Sequence, residues 1–335
     1  MLALTACSQG SDSESDDSSS SAGQAEKGAF PVTIKHALGE TTIKSEPQRI
    51  LTMDAESTDT ALALGVVPTS IAAQDFGGDK EGYLPWTRKA LDALVDTPPK
   101  TDVFFSETGE VDFEHILELA PDVILAPYSG FSQEDYERLS EIAPTVPFDY
   151  KPWQPSSWQN MTTSVGQALG RPARAAELIK QAEATTAQVA VDHPEFKDVS
   201  FIFGTYMREG ETQTAVYSPA DPRVKLVSDL GLTIAPDVLA GAKKDKSGSF
   251  TFGVSLEELD TVNADIYIGW AGEQADIDRS VGNALFAQWE PIKKGKDLWF
   301  TDDRLTSATM HVSVLSIPWT IDQLVPQLTE VIARP

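Results

Sequence analysis

The stretch VDFEHILELAPDVILA, residues 111–126, returns without a gap as VSLEELDTVNADIYIG, residues 254–269. In each copy a capping residue, Asp112 or Ser255, precedes an apolar-periodic segment. An acid, Asp122 or Asp265, then precedes a continuous apolar run. The pattern describes a short helix followed by a strand buried on both faces. A chain that carries this unit twice has two similar halves, each with its own buried strand. Ile116, Leu117 and Leu119 fall on Leu259, Asp260 and Val262, so most of the core face is kept. Asp122 and Asp265 occupy a loop position where a carboxylate can accept backbone hydrogen bonds.

The remainder of the chain agrees with two α/β halves. Its 335 residues, 41% hydrophobic, suffice for one large or two medium cores. FPVTIKHALGETTIK alternates around Leu38-Gly39 as a β-hairpin does. QRILTM and TSIAA are short buried strands, with the helical ESTDTALALG between them and Gly65 as its stop. SQEDYERLSEIAP is helical and TVPFDY extended. SWQNMTTSVGQALG opens a long helical region, and Pro172 suits the first turn of a second helix running to about Asp192. Residues 171–192 would make a rod of roughly 33 Å. Alternation then restarts with the strands VSFIFG and TQTAVYS, the helix PRVKLVSDLGL, a helix over 255–263 and the strand DIYIGW. NALFAQWEPIKKG is helical, KDLWFT is a strand, and a closing helix follows. Strand-helix alternation of this kind argues for parallel sheets flanked by helices. The expected layout is an N-terminal lobe over 30–155, a linking helical region over 156–194 and a C-terminal lobe over 195–335.

The first residues read differently. LTAC, residues 4–7, resembles the lipobox of bacterial lipoproteins, which would make Cys7 the lipidated residue. Residues 1–7 are then the end of a truncated signal, and 8–29, rich in Ser and Asp, a disordered tether. The net charge of −25 repels phosphate backbones and argues against nucleic acid. A single cysteine rules out an intrachain disulfide, and the four histidines show no metal-ligand spacing.

The motifs PQRILTMDAESTDTALALGV, DFEHILELAPDVILAP, LSEIAPTV, SLEELDTVNADIYI and WEPIKKGKDLWF occur in the order used by one family. From about residue 30 onward the chain resembles the iron-siderophore-binding lipoproteins of ABC importers, within a periplasmic-binding-protein family that also includes vitamin B12 and haem carriers. GYLPW, APYSG and LSIPW are similar to its actinobacterial branch. The resemblance implies an α/β protein with two Rossmann-like lobes joined by a single long α-helix, the class III periplasmic-binding-protein fold, with the ligand in the cleft. It also implies an extracytoplasmic monomer, anchored by lipid to the outer face of the cytoplasmic membrane and delivering ferric siderophore to an ABC permease dimer. Closure of the cleft should be small, because a helix lacks the soft dihedrals of a loop hinge.

Local chemistry explains the paired acids Glu114 and Glu257 as first-turn residues favoured by the helix dipole, with Ser255 and Glu258 fitting a capping box. The family resemblance implies a second role, in which one glutamate on each lobe docks into an arginine pocket of the permease. Both roles are compatible.

A ferric siderophore already saturates its iron, so no cofactor and no protein metal ligand is expected. Such a ligand needs aromatic faces and cationic donors, carried on loops after strands. In the first lobe the candidates are Trp86, Tyr128 and Trp153. In the second they are Tyr206, Arg208, Tyr217, Arg223 and Trp270, with Arg304, Met310 and His311 in the loop DDRLTSATMH. Trp289 and Trp299 lie in periodic segments and read as core. Few cleft cations on an acidic protein favour hydroxamate or mixed siderophores over triscatecholates. Tyr206 with His311 could instead ligate a haem, and cobalamin is a further alternative. A cell-surface enzyme ranks lower, since G-x-S-x-G, P-loop and G-x-G-x-x-G motifs are absent. A structural surface lipoprotein fits the duplicated halves least.

Overall fold

The computed structural model describes residues 24–106, 109–154 and 157–335. Cys7 and most of the expected tether lie outside the described residues.

An antiparallel hairpin, β1 (Val32–His36) and β2 (Gly39–Ile43), opens the first lobe and turns at Gly39, whose φ of 134° suits glycine. Then follow β3 (Ile50–Thr52), α1 (Ala55–Ala63), β4 (Ser70–Ala72), α2 (Pro85–Leu94), β5 (Thr101–Asp102), α3 (Phe113–Leu119), β6 (Val123–Leu125), α4 (Gln133–Ile142) and β7 (Thr145–Val146). The five strands β5-β4-β3-β6-β7 form one parallel sheet in that order. Chain order therefore reverses direction between β3 and β6, and the loops leaving these two strands diverge to form a crevice. Ile50, Leu51 and Val123–Leu125 are buried, as strands covered on both faces must be.

Two helices follow, of which α5 (Trp158–Ala168) packs on α1 and β1 of the first lobe and α6 (Pro172–Asp192) joins the lobes. In α5 Ser157 caps the first turn, and α6, 21 residues and about 31 Å long, begins with its proline. Arg171 supplies no side-chain cap to α6. Glu26 caps it instead, accepting the N–H groups of Ala173 and Arg174 at 2.9 and 3.1 Å. Residues 24–29 are thus docked on the α5–α6 junction, which corrects their assignment to the tether.

The second lobe comprises β8 (Ser200–Thr205), β9 (Gln213–Tyr217), α7 (Pro222–Asp229), β10 (Thr233–Ile234), α8 (Pro236–Lys244), β11 (Thr251–Ser255), β12 (Ile266–Trp270), α9 (Gln274–Gly282), α10 (Glu290–Lys293), β13 (Asp297–Phe300), α11 (Asp303–Met310) and α12 (Ser316–Ala333). Its sheet is mixed: β10, β8, β12 and β13 run parallel, while β9 pairs antiparallel with both β8 and β11. The direction of chain order again reverses beside β8, between β10 and β12.

The duplicated phrase has two outcomes. Asp112 caps α3 by accepting the His115 N–H at 3.0 Å. Asp122 accepts the N–H groups of Gln48 and Arg49, both at 2.9 Å, and Asp265 accepts that of Ser200 at 2.7 Å. Both acids therefore pin a strand start. Ile116 and Leu259 are buried, whereas Leu117, 61% exposed, corresponds to the exposed Asp260. The expected helix over 255–263 is a 3-10 turn, Leu256–Thr261, which follows directly on β11, although the same length of chain forms the α-helix α3 in the first copy. Ser255 accepts from the Glu257 N–H at 3.4 Å in that turn, and its hydroxyl does not complete a capping box with Glu258.

The lobes also touch away from the linking helix. Ala308, Leu315 and Trp319 pack on Ala55, Leu84 and Trp86 of the first lobe. The Asp59 carboxylate accepts from Trp86 Nε1 and Thr87 Oγ1 at 2.7 Å and from Ser313 Oγ at 2.6 Å. This seam is a second, non-covalent connection beside α6.

Candidate functional site

The crevice at each reversal of strand order exposes two loops, and the two crevices face each other. In the first lobe Asp54 follows β3 and Tyr128 follows β6. The Tyr128 N–H donates to Asp54 Oδ2 at 2.8 Å, while Asp54 Oδ1 caps α1 by accepting from the Ser57 N–H at 2.7 Å. Burial and the neighbouring Glu56 push the Asp54 carboxyl up to about 7. In the second lobe Tyr206 follows β8 and Trp270 ends β12. The Tyr206 N–H donates to the Trp270 carbonyl at 3.3 Å, and the two rings meet edge to face at 5.6 Å.

Tyr128 is the centre of the first half. Its ring stands edge-on to Trp153 at 5.9 Å and to His311 at 5.8 Å. Burial, reinforced by Glu56, pushes its phenol up to about 12, and Arg223 of the opposite lobe opposes the shift. Trp153 is 52% exposed and sits at a φ of 57°, a left-handed conformation costly for a bulky residue. Its N–H donates to the Ser129 carbonyl at 2.8 Å. The indole lies so close over Gly130 that any Cβ there would fall inside the ring.

Arg223 is the centre of the second half. It forms a fork on the buried Asp221, with Nε and Nη2 at 2.8 and 2.7 Å. Its guanidinium lies 3.8 Å from the Tyr217 ring centroid, and Nη1 donates to Tyr217 Oη at 3.2 Å. Trp270 Nε1 donates to the same hydroxyl at 2.9 Å. Burial alone would lower the Arg223 pKa, but Asp221 raises it above its ordinary value.

His311 joins the halves. Its Nδ1 lies 3.1 Å from Glu56 Oε1. Burial pulls the imidazole down, but the charge and hydrogen bond of Glu56, with Asp59 and Asp54 beyond, hold it above its ordinary value. Behind Tyr128 and Glu56 a cavity of about 370 Å³ extends between α5, α6 and α7, with Met310 in its wall.

The structure thus gathers Tyr128, Trp153, Tyr206, Tyr217, Arg223, Trp270, Met310 and His311. Three candidates lie elsewhere. Trp86 is 3% exposed, packs on Trp319 and donates its indole N–H to Asp59, so it belongs to the core rather than the cleft. Arg208 is exposed beside Tyr206 in a shallow groove, where its N–H donates to Glu211. Arg304 is paired with Asp302 at 2.7 Å on the first turn of α11, against Gly77 of the first lobe. The expected loop around it is a helix, capped by Asp302 at the Arg304 N–H. Trp289 is core, as expected, and Trp299 is half-buried. Glu56, Asp54, Asp221 and Gly130 were not foreseen. Three acids directly after a buried strand, in TMDAESTD, were the available signal for the first two.

Glu114 and Glu257 are both exposed, each in the first turn after its cap. Among the described residues no three His, Cys, Asp or Glu side chains converge as a metal site.

Comparison with known proteins places this arrangement. The family described as periplasmic binding protein matches residues 50–296. The chain is 23% identical to the ferric enterobactin-binding periplasmic protein FepB of Escherichia coli, over 88% of this chain and 90% of that one. It is 26% identical to the probable siderophore-binding lipoprotein YfiY of Bacillus subtilis, over 96% and 89%. Among solved structures, PiaA of Streptococcus pneumoniae in complex with ferrichrome superposes with a TM-score of 0.78 at 30% identity, covering 90% of this chain and 99% of that one. The family match takes in the whole parallel sheet of the first lobe, the linking helix and most of the second sheet, and the chain belongs to the periplasmic binding protein family.

Proposed function

We propose that this protein captures a ferric siderophore between its lobes and delivers it to an ABC permease. The observation that carries the reading is the meeting of Tyr128, Trp153 and His311 with Tyr206, Tyr217, Arg223 and Trp270 at two facing crevices. Such a set offers aromatic faces and one forked cation to an organic shell, with the iron held by the siderophore itself. No cofactor is required for that task. Relatives named for ferric enterobactin and for siderophores, and a neighbour bound to ferrichrome, support the same class.

Charge favours a neutral or weakly charged complex. Arg223 is matched by Asp221 and His311 by Glu56, so the cleft offers little net positive charge to a trianionic triscatecholate. Hydroxamate or mixed chelators fit better. The extracytoplasmic location follows from the same relatives, and a lipid anchor at Cys7 with a tether would leave the body free to reach the permease. Glu114 and Glu257, one exposed acid per lobe, would engage the two halves of that permease.

Tryptophan fluorescence tests the reading, since several indoles line or border the cleft. Titration with ferrichrome should quench emission and saturate, while haem and cobalamin should not. Saturable quenching by haem alone would replace the ligand class, and no response to any of the three would overturn the carrier role.

A further inference from the structure

Behind the aromatic cluster lies the cavity of about 370 Å³. Trp158, Met161, Leu226, Met310, Val312 and Ile317 give it apolar wall, beside the polar Ser157, Gln159 and Thr186. Glu183, Lys225 and Asp229 are exposed and mark its outer mouth. Glu56 and Tyr128, which touch the cleft residues His311 and Trp153, also line this cavity, so the two spaces share these side chains.

Two buried acceptors in its lining have no partner among the described residues, Gln159 Oε1 and Glu56 Oε2, and the second stands on the side of the cleft. Glu56 is 2% exposed and uses Oε1 on His311, while its Oε2 accepts no hydrogen bond from any described residue. A buried acceptor left open is unfavourable, and an occupant bearing an N–H would relieve it. A donor at the neck with hydrocarbon beyond it describes an amide-linked alkyl chain. A compact chelate has no such extension and would leave the apolar walls wet.

We infer that this chamber is a subsite for an aliphatic arm of the ferric siderophore, with the amide N–H of the arm at Glu56 and its methylenes against Trp158, Met161, Leu226 and Ile317. The inference rests on the siderophore reading, because the arm enters from a chelate seated in the cleft. It adds that the preferred ligand is amphiphilic. Each methylene transferred from water to these walls strengthens binding about fourfold until the space is full.

The test uses ferrioxamine B and its N-acylated ferric complexes, with chains lengthened stepwise from about two to about eight carbons, titrated by tryptophan quenching. Affinity should climb about fourfold per methylene and then level off. Ala187→Phe and Ala220→Phe place a ring in the cavity from exposed positions that neither core uses. In either variant the parent complex should bind as before and the gain with chain length should vanish. Equal affinity for every chain length, or a gain untouched by both variants, overturns the subsite and leaves the siderophore reading standing. Comparable binding of a free fatty acid assigns the chamber to another ligand and also overturns it. Failure of every ferric complex to bind removes the siderophore reading itself.

Discussion

Glu56 Oε1 and His311 Nδ1 meet at 3.1 Å across the seam between the lobes, with Asp54 and Asp59 buried on the same helix start. The two aspartates are pushed up to about 7, chiefly by burial. An acid with a raised folded pKa holds a proton the unfolded chain has released, so its contribution weakens as pH rises from about 4 to about 7. His311 is also raised, so its contribution is complete below about 6.5 and is lost as pH passes its folded value. All three act in one direction. Thermal unfolding should give a Tm several degrees higher near pH 5.5 than near pH 8, roughly 2–4 °C per kcal/mol. Asp59→Asn should flatten that slope. A Tm that climbs between these pH values would sink the account.

Trp153 and Trp86 should separate binding from stability. Trp153 is exposed at the cleft, so Trp153→Ala should weaken ferrichrome binding about tenfold with Tm nearly unchanged. Trp86 is buried on Asp59, so Trp86→Ala should cost about 3–5 kcal/mol of stability while the folded fraction binds normally. Denaturant unfolding and quenching on the same samples decide the matter. The reverse pattern would reassign both residues.

Glu114→Ala combined with Glu257→Ala should leave ligand affinity and Tm within error, since both side chains are exposed. Uptake of iron-55-loaded siderophore by cells carrying the double variant should fall. Normal uptake with weakened ligand binding would refute the docking role.

Glu26 holds the first turn of α6 from outside the helix. Glu26→Ala should cost about 0.5–2 kcal/mol, as loss of a helix cap does. Urea unfolding measures it, and Glu26→Gln, which retains an acceptor, should recover part of the loss. An unchanged midpoint in both variants would show that the cap is dispensable.

Much of the architecture was legible because apolar periodicity and chain order carry it. The repeat around Asp122 and Asp265 fixed two strand starts, and Pro172 marked α6. Elements whose burial depends on partners distant in sequence were not legible. The helix α11 hides its apolar side against the first lobe, so DDRLTSATM reads as a polar loop by itself. Trp86 looked like a cleft aromatic because nothing nearby in sequence announces Asp59 or Trp319. Glu56 gained its place only through His311, 255 residues away.

The seam has a consequence for how the chain is made. Ala55, Leu84 and Trp86 complete their packing only against Ala308, Leu315 and Trp319. The earliest lobe therefore waits on almost the last segment to be synthesised, and its contacts span most of the sequence. Folding of such a topology is slow and leaves apolar surface open in the meantime. A chain released without α12 should be a poor folder in its first half as well as its second, and the whole polypeptide should fold as one cooperative unit rather than lobe by lobe.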